Sequence, residues 1–241
     1  IVTGGASGFG AGIVARFLEE GANVTIVDFD KTAALAYMES LKSDRVHFEY
    51  ADLADGKSVA ELFDRLQTRW SRLDVLVNNA GTTHLPALLE DVSEKDFDKV
   101  FAVNAKSVYY TSKFAVPWMK QQAAGAIVNI ASTAALSPRP HLTWYNASKG
   151  WMVTATKSMA IELASERIRV NAICPVAGET PLLASFMGSD TPETREKFLS
   201  SIPLGRFSTP KDIAATALYL ASDEAAMITG VALEVDGGRC I

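Results

Sequence analysis

The sequence predicts a single α/β domain over residues 1–241, with one doubly wound parallel sheet carrying helices on both faces. Three observations lead there. Apolar runs of strand length alternate with amphipathic runs of helix length from end to end. No linker, low-complexity stretch or internal repeat breaks the alternation. A glycine-rich turn joins the first strand to the first helix. At 241 residues, the chain can bury a substantial core as one domain.

Ile1-Val2 reads as the tail of a strand whose beginning precedes the sequence, which carries no initiator Met. Thr3-Gly4-Gly5-Ala6-Ser7-Gly8-Phe9-Gly10 follows, then an amphipathic run from Ala11 to Glu20. Strand, glycine turn and helix form the context of a dinucleotide-binding, Rossmann-type fingerprint. Gly4 permits the tight turn, while Gly8 and Gly10 are expected to let backbone and pyrophosphate approach closely. The helix start offers free N–H groups and a positive dipole end. The competing reading is an ordinary glycine-rich strand-to-helix turn.

Further strands are predicted at 24–28, 46–50, 75–77, 126–131, 168–174 and 231–235. Helices are predicted at 31–42, 57–70, 94–121, 145–166 and 210–222. The second strand ends in Asp28, 24 positions after Gly4. A carboxylate there accepts from the adenosine ribose hydroxyls and repels a 2′-phosphate. The glycine loop holds no Arg or Lys, so the pattern favours NAD over NADP; Asp30 is a second candidate for the same role.

The net charge of −5 argues against nucleic acid or anionic membrane as partner, and no apolar run is long enough to span a bilayer. Cys174 and Cys240 give no disulfide framework and suit a reducing, cytoplasmic setting, with Cys174 read as an inert core residue. No histidine pair has metal-ligand spacing, so no metal is expected.

Tyr145 and Lys149 are four residues apart on a predicted helix, which puts a phenol and an ammonium on one face. A nearby positive charge favours the phenolate and is expected to pull the tyrosine towards the working pH. Ser132 closes the preceding apolar strand, 13 residues before Tyr145. Tyr-x-x-x-Lys alone occurs on many solvated helix faces; downstream of the glycine loop and Ser132 it carries much more weight.

These motifs, with Asn78-Asn79-Ala80-Gly81, Asn104 and the loop from Pro175 to Thr180, resemble those of the short-chain dehydrogenase/reductase family from Thr3 to Gly238. The resemblance implies an NAD-dependent oxidoreductase that interconverts a secondary alcohol and a ketone. Tyr145 would be the acid/base, Lys149 its support and a ribose ligand, Ser132 a second bond to the substrate oxygen, and Asn104 the holder of a water leading to Lys149. It also implies cofactor contacts at Gly4, Ser7, Gly8, Phe9, Gly10 and Asp28, at Asp52 and Leu53, at Asn79, Ala80 and Gly81, and at Pro175, Val176, Gly178 and Thr180. Two departures stand out: Phe9 replaces an aliphatic residue, and Val176 stands where glycine usually follows the proline.

Residues 181–203 are expected to fold as short helices forming a substrate lid. Trp144 and Leu182 are expected to join Ser132 and Tyr145 at the substrate, with His84, Thr133, His141 and Met187 as further candidates. Asp52 has a competing reading as a helix N-cap. A 3-oxoacyl carrier-protein reductase is the alternative within this fold, and a catalytically idle dinucleotide-binding scaffold the alternative outside enzymes. Apolar residues on helices 94–121 and 145–166, including Phe97, Phe101, Tyr109, Trp118 and Trp151, suggest a homotetramer.

Overall fold

A computed structural model describes all 241 residues. Seven parallel strands form one sheet in the order β3-β2-β1-β4-β5-β6-β7. They are β1 (Val2–Thr3), β2 (Val24–Asp28), β3 (Val46–Tyr50), β4 (Val75–Asn78), β5 (Gly125–Ile130), β6 (Ile168–Pro175) and β7 (Ala232–Val235). The chain winds outward in one direction from β1 and then in the other from β4. The crevice between those two strands is where a doubly wound sheet takes its ligand.

The helices are α1 (Gly8–Glu19), α2 (Lys31–Leu41), α3 (Gly56–Arg69), α4 (Glu94–Phe101), α5 (Ser107–Gln121), α6 (Thr143–Leu163), α7 (Leu183–Met187), α8 (Pro192–Leu199) and α9 (Pro210–Ala221). Successive strand residues point to opposite faces, and the core divides accordingly. Val2, Ile26, Val77 and Val128 pack under α1 and α9 with Ile13, Phe17 and Ile213. Val27, Leu76 and Ile127 pack on the other face with Leu62, Phe63 and Met119 of α3 and α5. Each helix hides one apolar stripe, and the sheet is covered on both sides as the strand runs predicted.

Three boundaries differ from the sequence reading in ways that matter. The first helix begins at Gly8, so Gly8, Phe9 and Gly10 form its first turn. The expected single helix over 94–121 is interrupted by a π-helical turn at Ala102–Lys106, whose extra residue turns Asn104 inward. The helix over 145–166 starts two residues earlier, at Thr143, and its last three residues tighten into a 3-10 turn.

The crossing of α1 and α9 is set by Gly12. A Cβ there would stand 2.7 Å from Pro210 Cβ and 2.8 Å from its carbonyl oxygen. Gly12→Ala is expected to destabilise the fold: overpacking against backbone costs about 1–3 kcal/mol, more than the roughly 1 kcal/mol of helix propensity it gains. Urea unfolding checks this, and a raised midpoint would contradict it.

Candidate active site

The carboxyl ends of β1, β2, β4, β5 and β6 open into one cavity of about 660 Å³. Its walls include Gly4, Ser7, Gly8, Phe9, Asp28, Asp52, Leu53, Asn79, Ala80, Gly81, Ser132, Tyr145, Lys149, Pro175, Val176, Gly178, Thr180 and Leu182. Positions scattered over the chain thus meet in one place.

The glycine turn is built for close approach. Gly4 and Gly8 have φ of +60° and +54°, which L side chains rarely adopt. Ser7 is the N-cap of α1, its hydroxyl makes no capping bond, and the first turn holds no acidic residue. The exposed N–H groups and positive helix end therefore face the cavity unopposed, which suits a phosphate. Gly10 does not line the cavity, contrary to expectation. A Cβ there would collide with the Gly4 carbonyl, so Gly10 lets helix and strand close on each other.

Asn79 and Thr3 clamp this turn. Asn79 Nδ2 donates to the Thr3 and Gly4 carbonyls at 2.9 and 3.0 Å. Thr3 Oγ1 accepts from the Asn79 and Ala80 N–H groups at 2.9 and 3.0 Å. Asp28 accepts from the Ala6 N–H at 3.2 Å and from the Asp30 N–H at 3.1 Å, which fixes the carboxylate against the glycine turn. Asp30 caps α2 through the Ala33 N–H, leaving Asp28 as the acidic group at the crevice. The N-cap of α3 is Asp55, not Asp52; Asp52 instead closes a local turn onto the Ala54 N–H.

At the other end, Tyr145 and Lys149 are both buried on α6, and Ser132 ends the strand region opposite. Burial pushes the Tyr145 phenol up to about 12, with the nearby Ser132 hydroxyl acting in the opposite sense. The expectation that Lys149 would draw the phenol down is not met. Its Nζ lies 6.0 Å from the Tyr145 ring centroid and donates to the Ile130 carbonyl at 2.8 Å. The lysine itself is pulled down to about 8 by burial. Asn104 is fully buried, not a solvated helix residue. Its amide donates to the Thr82 carbonyl and to Ser148 Oγ, and its Oδ1 accepts from the Thr82 N–H.

Among the substrate candidates, Ser132, Tyr145, Thr133 and Leu182 line the cavity. Trp144 does not: its indole packs edge-on against Phe97 and donates to the Leu89 carbonyl. Neighbours on a helix point about 100° apart, and here that offset carries Trp144 to Phe97 while Tyr145 faces the cavity. Met187 lies in the small core beneath α7, with Val176 and Phe207. His84 and His141 also stand outside the cavity. Phe186, not anticipated, sets its ring edge-on to Tyr145 at 4.9 Å. Arg139 and Ser137 also line the wall; a lone arginine between two prolines in the loop after Ser132 was the available clue. Cys174 is fully buried and its thiol is pushed up to about 11, mainly by burial, in keeping with an inert residue.

A family model described as enoyl-(acyl carrier protein) reductase matches residues 4–239. A 4-formylbenzenesulfonate dehydrogenase of Comamonas testosteroni is 46% identical, covering 100% of this chain and 97% of its own. The chain belongs to the short-chain dehydrogenase/reductase family. Within that family it is also 38% identical to a 3-oxoacyl-[acyl-carrier-protein] reductase of Thermotoga maritima, covering 100% of this chain and 97% of that one. The crystal structure of a 3-ketoacyl-(acyl-carrier-protein) reductase from Brucella melitensis complexed with NADH superposes with a TM-score of 0.94, at 45% identity over 99% of this chain and 96% of that one. This short-chain dehydrogenase/reductase is accordingly an oxidoreductase acting on CH–OH groups with a nicotinamide dinucleotide.

The buried lysine sets a pH dependence of stability. An unfolded lysine keeps its proton to about 10.5, whereas folded Lys149 holds its own only to about 8. Between those values the unfolded chain binds more protons, so the burial penalty eases and stability rises with pH. Relative to Lys149→Met, the parent protein should gain unfolding free energy from about pH 8 upward and show no such gain below it. A difference that stays flat across stepped-pH urea titrations would contradict the burial argument. Above about pH 10 Tyr145 works the other way, because the unfolded phenol ionises first.

Proposed function

We propose that the chain is an NAD(H)-dependent dehydrogenase/reductase interconverting a secondary alcohol and a ketone, with Tyr145 as the acid/base. The observation that carries this reading is the meeting of Ser132, Tyr145 and Lys149 with the glycine turn and Asp28 in one cavity. The bound dinucleotide supplies the hydride donor or acceptor. Lys149 and the turn at Gly4, Ser7, Gly8 and Phe9 would hold it, Asp52 and Leu53 would serve the adenine, and Asn79, Ala80 and Gly81 would line the crevice for it. Pro175, Val176, Gly178 and Thr180 shape the nicotinamide end.

The phenol is protonated at neutral pH, so Tyr145 is ready to give its proton to a carbonyl oxygen that Ser132 also holds. In the oxidising direction it must first lose that proton, and Lys149, titrating near 8, is the adjacent group through which charge balance is kept. Asn104 fixes Ser148 and the 81–82 turn around Lys149. A Cβ built on Gly81 would lie 3.5 Å from Lys149 Nζ and 3.6 Å from Asn104 Oδ1. Helices α7 and α8 within 181–203 act as the lid that excludes water during transfer.

Tyr145→Phe should reduce turnover by at least about a thousandfold, within the range general acid–base catalysis contributes. NADH binding, followed by fluorescence, should persist. A variant with near-parent turnover would remove Tyr145 from the mechanism.

The choice of NAD rests on Asp28, held by two backbone N–H groups and with no basic residue in the turn to receive a third phosphate. Asp28→Ala should relax a preference for NAD of at least tenfold in kcat/KM. Equal kcat/KM for NAD and NADP in the parent enzyme would refute the assignment.

The assembly proposed is a cytoplasmic homotetramer. Part of the apolar surface expected to form it is used inside the monomer: Val108, Trp118 and Met152 are core, and Phe97 stacks on Phe101. Tyr109 and Trp151 remain half exposed beside an apolar groove with Met159 between α5 and α6, and they support one of the two faces needed. Sedimentation at micromolar concentration should give a species about four times the 25.9 kDa chain, and a monomer would exclude it.

A further inference from the structure

Two guanidinium groups gather beside the Ser132–Tyr145 wall, neither of them in an ion pair; the acidic side chain nearest Arg239 in sequence, Asp236, is taken up by the Gly238 and Cys240 N–H groups. Arg139 lines the cavity with Ser137. Its Nη2 donates to Ser201 Oγ at 2.7 Å, and its plane lies 4.4 Å from the Phe198 ring centroid. Arg239, from the tail after β7, donates through Nη1 to Ser137 Oγ at 2.8 Å, and its Nε is buried with no hydrogen-bond partner. None of the nine ion pairs in the chain involves either arginine. The Arg139 guanidinium is held below the usual arginine range by burial first and by Arg239 second.

Such an arrangement is unfavourable on its own. Two like charges that repel in a partly desolvated site persist where a ligand of opposite charge completes them. The placement also selects the ligand. Asn146, next to Tyr145 on α6, donates from Nδ2 to the Arg139 carbonyl at 2.8 Å, which ties the arginine loop to the helix that carries the phenol. Leu142, Phe186 and Phe198 line the same cavity, and apolar walls of this kind suit an apolar spacer between the charged group and the reacting carbon. Phe198 and Ser201 come from the lid side, so whatever binds Arg139 also bears on the closing of α8.

We propose that the substrate is an organic anion, a ketone or alcohol bearing a carboxylate or sulfonate whose charged group seats on Arg139, backed by Ser137 and Arg239. Arginine offers a planar fork of N–H donors that matches either oxyanion in bidentate fashion. The proposal rests on the oxidoreductase reading above and adds the substrate class. Arg139 is a specificity residue at a distance from the reacting atoms.

Four probes test it: 3-oxobutanoate and 2-oxopropanesulfonate as anions, and methyl 3-oxobutanoate and pentan-2-one as neutral counterparts. NADH oxidation reads turnover, and calorimetric titration into the enzyme–NADH complex reads binding without it. At least one anion should exceed its neutral counterpart by about tenfold to a hundredfold in kcat/KM and in affinity, the range for a hydrogen bond to a charged group. The sulfonate and carboxylate arms show which oxyanion fits. Arg139→Ala should erase that preference chiefly through KM, the anions losing at least about tenfold more than the neutral probes; Arg139→Lys should restore part of it.

Ser201→Ala separates the lid contact from anion binding, because loosening the lid would affect all four probes alike. Neutral probes bound as well as the anions, no binding by any probe, or an equal loss on all four in Arg139→Ala would overturn the proposal. Anions bound tenfold more tightly but never reduced would uphold the anion subsite and count against the alcohol/ketone reading instead.

Discussion

A chain of buried side-chain hydrogen bonds across the middle of the molecule holds the site in register. Thr111 Oγ1 of α5 donates to Asn78 Oδ1 at the end of β4. Asn78 Nδ2 donates to Asn129 Oδ1 on β5, and Asn129 Nδ2 donates to Thr156 Oγ1 of α6. Asn78 and Asn129 are register partners in the sheet, and all four residues are buried. Each bond contributes only about 1 kcal/mol net, but leaving any member unpartnered in the core costs more, so the four elements accept one relative position. The apolar core fills space around this chain without choosing its register as strictly.

The consequences reach both ends of the cavity. The strand end that carries Asn78 leads directly to Asn79, whose amide clamps the glycine turn. The helix that carries Thr156 also carries Tyr145, Ser148 and Lys149. A second, smaller set of bonds, from Asn104 to Thr82 and Ser148, fastens the π-helical turn to the same helix. Glycine turn and phenol are thus joined through rigid elements, while α7 and α8 lie outside this network.

Much of this was legible in the sequence. Strand β2 is buried along its whole length and keeps the limits of its apolar run; β3, at the edge of the sheet, keeps its limits although His47 and Glu49 alternate with apolar residues. Gly4, Gly8, Asp28, Ser132, Tyr145 and Lys149 all stand at the cavity, and each was legible because its place calls for that residue type for a stated chemical reason. The π-helical turn was invisible: Ala102-Val103-Asn104-Ala105-Lys106 holds no glycine or proline and reads as ordinary helix. Trp144 turns to Phe97 and the Leu89 carbonyl instead of the cavity, a choice made by tertiary contacts that its position beside Tyr145 does not reveal. The pairing of Lys149 with Tyr145 was read from sequence spacing, but spacing carries no information about burial, and burial governs both groups. Arg139 and Arg239 come together only through the long return of the C-terminal segment, which no local pattern reveals.

The Phe9 departure has a structural counterpart far along the chain. A Cβ on Gly178 would run into the Phe9 ring and stand 2.7 Å from Ser208 Oγ, so the loop after β6 passes directly over the aromatic face. A bulky ring in the first helical turn thus crowds a loop almost 170 residues later, where Ser208 also leaves a Cβ no room, and a residue without a side chain is what fits between them.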